Sequence, residues 1–453
     1  MKVNPYWPLI QLAFPIILAN AAVPILGLVD TAVIGQTGTA SDLGAIALAS
    51  LVFSFVYWGF GFLRMGTTGF IAQAAGANHH KELHALAFRT LLIAVSIGLC
   101  LIVLQKPIEA VATHVLSASP AVNTGVRDYF YLRIWGAPAT LITFALLGIL
   151  IGMGWTRQLL YVQLLLNGLN ILFNLLFVLG WQMGVKGIAL GTLCAEWITV
   201  FFALFIVLKK MEIHHPLQRF QTLKVRIFNR HHLWALFHVN SDIMIRTLAL
   251  ISGFAWFAKQ GADFGDHVLA ANHILLQFVT LSAFFLDGFA NVAEMRVGQA
   301  FGAKNKTRFQ SEVRHTTHLA ALSALLLSLF IFIFGATFIP WLSQDEAVQH
   351  MAMQYTPYAA LYILCSFAAF QLDGVFIGVT QSRAMRNATI LALIVLISLG
   401  SWWSTAYGNA GLWAALVVYI VMRAVVLGAY YPSLLRHLEL TSSSQPLPFN
   451  TKG

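Results

Sequence analysis

Apolar residues dominate the chain in long runs, and its few charges gather in the short gaps between them. A hydrocarbon core about 30 Å thick needs about 20 apolar residues per crossing helix. Reading for such runs predicts twelve spans, at roughly 8–35, 43–74, 85–105, 122–152, 158–180, 187–208, 233–260, 268–300, 316–342, 349–379, 385–405 and 410–435. Several exceed the minimum length and contain Gly or Pro, so tilted or bent helices are expected.

Composition makes the alternatives untenable. The 453 residues are 58% hydrophobic and 10% charged, with a mean hydropathy of +0.75, where a soluble domain is about 25% charged. So few polar groups do not cover a soluble globule of this size. Soluble enzymes, disordered scaffolds and fibrous repeats are therefore excluded, leaving an all-α polytopic membrane protein. Cys100, Cys194 and Cys365 lie inside apolar runs and have no CxxC partner, which gives neither a disulfide framework nor a zinc site.

The net charge of +10 is a topology signal. Lys2, Lys81, Arg89, Arg157, Lys209, Lys210, Arg219, Lys224, Arg226, Arg230, Lys304, Lys306, Arg308, Arg314, Arg383, Arg386 and Arg436 fall before the first span or after the even-numbered ones. The alternate loops hold only Lys106, Lys186 and Lys259, beside Asp42, Asp263, Asp266, Asp345 and Glu346. Basic loops stay in the cytoplasm, so both termini are expected there, with no role in nucleic-acid binding. Ala19, Asn20 and Ala21 imitate a signal-peptidase site, but the apolar run continues through Ile34, as a mature helix would.

The chain also repeats itself. Gln73–Ala77 matches Gln299–Ala303, Gly148/Gly152 matches Gly374/Gly378, and Arg157 matches Arg383, each 226 residues apart. Six spans separate the copies, so both insert the same way up, as two six-helix lobes related by a pseudo-twofold along the membrane normal. The expected domains are an N-lobe (1–208), a basic cytoplasmic loop (209–232), a C-lobe (233–440) and a polar tail (441–453). The glycine pairs, with Gly298/Gly302, are suited to close helix packing.

Ionisable groups at bilayer depth are functional candidates by default. They are Asp30, Arg64, Asp128, Glu196, Asp242, Arg246, Asp287, Glu294, Arg296, Asp373 and Arg423. Asp30 lies late in the first span, six residues after Pro24, which can bend a helix. Asn167, Asn170 and Asn174 form one amide face in the fifth span, and Thr192 and Glu196 stand i,i+4 in the sixth. A polar patch between spans one, five and six would supply Asp30 with hydrogen bonds. Asp242 and Arg246, also i,i+4, are expected to neutralise each other. Asp287 and Asp373 fall at repeat positions occupied by Gly61 and Leu147, so the lobes differ in charge. The histidine pairs His79/His80, His214/His215 and His231/His232 read as solvated headgroup contacts. No GxxxxGK[ST], HExxH or GxSxG occurs, which leaves ATP-driven pumping and hydrolysis unsupported.

Twelve spans in a 6+6 arrangement resemble the multidrug and toxic compound extrusion family. So do the stretches Pro24–Gly35, Gly66–Gln73, Asp242–Thr247, Asp373–Gly378 and Ser382–Asn387. Within that family the likeness is to its bacterial DNA-damage-inducible branch, over nearly the whole chain. The resemblance implies an inner-membrane antiporter, not an enzyme and without a cofactor, that exports amphipathic, mostly cationic drugs in exchange for protons or sodium. It assigns cation coupling to Asp30, with Asn170, Asn174, Thr192 and nearby Tyr129 as partners, and helix bending to Pro24. Some relatives carry a second acid where this chain has Asn174, so proton coupling is expected over a sodium site at Asp30, Asn170 and Asn174. Glu196, Asp287, Asp373 and Arg246 are secondary candidates, and a monomer surrounded by membrane lipids is expected. The rivals are sodium-coupled efflux, a lipid or glycolipid flippase of the same superfamily, and a membrane-embedded transferase.

Overall fold

The computed structural model describes residues 5–37, 39–116 and 120–443; within these, the side chains at 23–32, 34–37, 40, 112, 114–116, 121, 437 and 440–443 are outside the description. Among the described residues every regular element is helical. In chain order they are α1 (Trp7–Thr37), α2 (Ala40–Gly59), α3 (Phe62–Gly76), α4 (His80–Val103), α5 (Gln105–Leu116), α6 (Pro120–Arg133), α7 (Ala137–Gly152), α8 (Thr156–Asn174), α9 (Gly184–Lys210), α10 (Pro216–Ile227), α11 (Arg230–Asp263), α12 (Asp266–Gly302), α13 (Lys306–Leu342), α14 (Glu346–Gly378) and α15 (Ser382–Ser443).

These helices account for the twelve spans. Ten stretches are long and apolar enough to cross a bilayer, α2 with α3 and α6 with α7 each making one crossing. The last stretch runs 55 residues and breaks at Gly408, whose φ of 60° and ψ of −141° only glycine adopts easily, so it supplies two crossings. The 31-residue α1 is the twelfth. Among the described residues, α5 and α10 are the short helices left over.

Backbone contacts fall into two compact units. One holds Leu18–Ile71 and His79–Ala235; the other holds the described residues of Met1–Ile17, Ala72–Asn78 and Leu236–Gly453. Lipid gives helices no hydrophobic reason to associate, so small residues that permit close backbone approach carry the packing. In the first unit a Cβ on Gly148 would stand 2.6 Å from the Arg64 carbonyl oxygen, and one on Gly152 2.8 Å from that of Thr68. In the second, Gly374 meets the Ala290 carbonyl at 2.4 Å and Gly378 that of Glu294 at 2.5 Å. All four residues of the second crossing are 226 positions beyond their counterparts. The internal repeat is thus a repeated helix crossing.

The copies of the Gln73 motif meet as well. A Cβ on Gly76 would lie 2.0 Å from the Gln299 oxygen, and one on Gly302 2.1 Å from the Gln73 oxygen, a reciprocal contact within the second unit. The Gln73 amide donates to the Gly378 carbonyl at 2.9 Å.

Arg89 departs from its reading as a loop marker. It is 1% exposed in α4, and its guanidinium donates to Glu82 Oε1 (3.2 Å) and to the carbonyls of Arg226 (2.8 Å) and Ile227 (3.0 Å). The last-turn carbonyls of α10 have no partner within the helix, and a buried cation supplies one. Leu223 and Ile227 pack beside it on Ala85, with Phe88 and Phe220 at the edge. Arg89→Met is therefore expected to leave Glu82 short of its closest cation, at a cost of about 3–5 kcal/mol. Its cleavage by trypsin in the 209–230 segment should be faster than wild type, whereas Glu82→Leu with Arg89→Met should recover much of the melting temperature. Equal melting of the single and double variants would contradict the arrangement.

Candidate functional site

The amide face of α8 lies against α9. Asn174 Nδ2 donates to Asn170 Oδ1 at 2.8 Å, Asn170 Nδ2 donates to Thr192 Oγ1 at 2.9 Å, and the Thr192 hydroxyl donates to the Ile188 carbonyl at 3.0 Å. Asn170 and Asn174 are essentially inaccessible and Asn167 is buried one turn before them. Amides recurring at i,i+3 and i,i+4 share one helix face, which is why a stripe in sequence becomes a chain of hydrogen bonds. Immediately after Asn174 the helix widens into a π turn, Leu175–Gly180, a local distortion that recurs at functional sites. Gly191 makes the fit possible, because a Cβ there would come within 2.2 Å of Asn174 Oδ1. Tyr129 is buried on α6 with its ring 6.0 Å from that of Phe53.

Asp30 and Pro24 lie in α1, which continues as helix through both, but their side chains fall outside the described residues. Among the described side chains of this amide chain none is ionisable.

Glu196 takes a different partner from the one its spacing to Thr192 suggests. It is clasped by both terminal nitrogens of Arg133 (2.7 and 2.5 Å), and the Thr140 hydroxyl donates to it at 2.8 Å. The guanidinium also stands 5.3 Å from the Phe53 ring centre and 5.5 Å from that of Tyr57, close enough for cation–π attraction. Gly136 leaves the space, since a Cβ there would lie 2.4 Å from Glu196 Oε2. Arg133 is the functional candidate that the sequence reading passed over. A buried carboxylate requires a buried cation, and this was the one signal that pointed to it.

In the second unit the expected Asp242–Arg246 pair does not form. Asp242 accepts from Arg386 (2.6 Å) and the Ser382 hydroxyl (3.0 Å), while Arg246 on the same helix reaches Asp373. Helical spacing permits an i,i+4 pair, but cations and acids on neighbouring helices offer charge-assisted bonds inside the unit. Arg423 also donates to Asp373 Oδ2, at 2.6 Å. All three of Arg246, Asp373 and Arg423 are buried. Asp287 is half-buried in α12. Asp128, within the Val122–Gly152 span, makes an exposed pair with Lys186 at 3.3 Å. Glu294 is buried, and Arg296 pairs with Glu312 at 2.8 Å.

Two guanidiniums share one carboxylate at Asp373, so removing it uncovers both. Asp373→Ala should destabilise by about 3–5 kcal/mol, as broken buried pairs do. Asp242→Ala should cost less, because water reaches Arg386, whose side chain is 31% exposed. Melting followed by intrinsic fluorescence in detergent would contradict this ranking if the order reversed.

Comparison with known proteins adds the family. The MatE family profile matches residues 15–176 and 243–402. The chain is 34% identical over 425 residues to the DNA damage-inducible protein F of Escherichia coli K12, covering 93% of this chain and 91% of that one. It is 23% identical to the multidrug resistance protein NorM of Vibrio cholerae, covering 93% of each. Among solved structures, a MOP superfamily transporter from Pyrococcus furiosus superposes with a TM-score of 0.86 at 17% identity, covering 97% of both chains. MATE in the bent conformation gives 0.86 at 18% identity over 96% of both, and MATE in the straight conformation 0.84 at 17% over 97% and 98%. Twelve spanning helices built from two six-helix repeats, matched over most of their length by this profile, place the chain in the MatE family of multidrug and toxic compound efflux transporters.

Proposed function

We propose that this transporter is a proton-driven antiporter of the bacterial inner membrane in which Asp30 carries the proton. It exports amphipathic, mostly cationic compounds. The observation that supports this reading most is the buried, neutral relay from Asn174 through Asn170 and Thr192 to the Ile188 carbonyl. Such a relay offers donors and acceptors that exchange partners at little cost when a neighbouring charge appears or disappears. It brings no second carboxylate to help strip sodium of its water. Hard cations favour carboxylate and carbonyl oxygens, so a single acid favours proton over sodium.

In the proposed cycle Asp30 takes up a proton from the outer side, and the hydrogen bonds around it rearrange. Helix α1 then bends at Pro24, where the ring removes the N–H that an intact helix would use. The cavity of the N-terminal half narrows and drug leaves; the proton is released on the cytoplasmic side. MATE proteins of this fold adopt both bent and straight conformations, which supports such a bend. Both termini then face the cytoplasm, as the basic loops imply.

Fluorescent-dye transport in inverted vesicles tests the reading. A pH gradient alone is expected to drive it, with no gain from sodium, and Asp30→Asn should abolish it while the protein stays folded in the membrane. Transport that required sodium would replace the proton; unaltered transport by Asp30→Asn would remove Asp30 from the mechanism.

The relay has its own test. Gly191→Ala should push the Asn174 amide aside and lower transport about tenfold, as loss of one buried hydrogen bond worth about 1–3 kcal/mol implies. Wild-type transport by that variant would separate the relay from coupling.

A further inference from the structure

Helix α10 has two apolar faces, and the unit in which it folds uses only one. Phe220, Leu223 and Ile227 turn towards α4. Leu217 and Val225, i,i+8 on another face, are 80% and 88% exposed, and Phe228, just past the helix end, continues their row at 53%. An amphipathic helix in water would not leave this row bare.

The place where α10 docks says what covers it. It sits on Ala85 and Phe88 of α4. The same face of α4 continues through Leu92, Leu99 and Val103, and all three are exposed. From Phe88 to Val103 is about 22 Å of helix at 1.5 Å per residue, most of a hydrocarbon core about 30 Å thick. The exposed apolar stripe of a spanning helix is its lipid face. Helix α10 therefore lies on the lipid-facing side of its unit, at the level where hydrocarbon gives way to headgroups. The Arg89 clamp on the Arg226 and Ile227 carbonyls fixes its rotation, so the second row cannot roll inwards.

Charge selects the lipid. Residues 209–230 hold six Lys or Arg against one acid, Glu212, and α10 itself carries no acid. Lys224 is exposed within the helix, and Lys209 and Lys210 end α9 just before it. Apolar side chains beside basic ones are the pattern of a helix that lies in an anionic interface.

We propose that α10 is an interfacial helix that binds anionic phospholipid headgroups, with Leu217, Val225 and Phe228 in the acyl boundary and Lys209, Lys210 and Lys224 on the phosphates. The full-length protein would carry a nitroxide on a single cysteine at position 217, 222 or 228, with Cys100, Cys194 and Cys365 replaced by alanine. Nanodiscs of phosphatidylcholine alone are then compared with discs containing equal phosphatidylglycerol, using collision with oxygen and with a water-soluble nickel chelate. In the anionic discs, labels at 217 and 228 should meet oxygen several-fold more than nickel, and the label at 222 should show the reverse. Removing phosphatidylglycerol, or changing Lys209, Lys210 and Lys224 to Gln, should move labels 217 and 228 towards water. Nickel-dominated collision at 217 and 228 in both lipids would overturn the proposal and favour a soluble partner. Oxygen-dominated collision of equal strength in both lipids would also overturn it, leaving apolar insertion with no headgroup recognition. Melting of each labelled protein at the wild-type temperature shows that its collisions report the folded state.

Discussion

Where two helices cross in lipid, neither gains by hiding apolar surface, because lipid tails are as apolar as a leucine side chain. What remains is dispersion, which falls away within an ångström of optimal contact. The crossings of α3 with α7 and of α12 with α14 meet this constraint in one way. Gly148 and Gly152 lie on the Arg64 and Thr68 carbonyls, Gly374 and Gly378 on those of Ala290 and Glu294. Every one of these approaches is closer than a Cβ tolerates. Asp373 is carried by α14 itself, and the amides of α8 and α9 by helices that pack against α7.

Polar groups then obey a second constraint. Each buried charge must be met by an opposite one, since hydrocarbon offers nothing else. Glu196 is met by Arg133, Asp373 by Arg246 and Arg423, and Glu82 by Arg89. The partners come from other helices in the first two cases, so the pairs also specify which helices are neighbours. The Asn170–Asn174 relay differs in kind, because its members are neutral and their bonds can be remade without separating charge.

How much of this was legible in the sequence follows from what carried the information. Spans and their number were readable because run length is a one-dimensional property, and even the break at Gly408 fell between two predicted runs. The repeat was readable because it lies in glycines, whose role in packing is tied to position. The amide stripe was readable because helical spacing puts Asn167, Asn170 and Asn174 on one face. Pairing was not. The i,i+4 rule linked Asp242 to Arg246 and Thr192 to Glu196, yet each acid found its cation on another helix, a contact with no trace in local spacing. Arg89 and Arg386 looked like loop charges for the same reason: proximity to a span end does not reveal whether a side chain turns inwards.

These pairings weigh the acids against one another as proton carriers. For Glu196 to take up a proton it would surrender a two-pronged bond to Arg133 and leave that guanidinium buried with no counter-charge. For Asp373 the loss would be double, with Arg246 and Arg423 both uncovered. Uncompensated buried charge costs about 3–5 kcal/mol, several times RT, and each transport cycle would meet that cost anew. An acid whose partners are amides and hydroxyls escapes it, since such groups donate to a carboxylate and accept from a carboxyl with small reorientation. This is the physical reason for proposing Asp30, to which the family resemblance assigns the α8 and α9 amides as partners, ahead of the other intramembrane acids as the coupling residue.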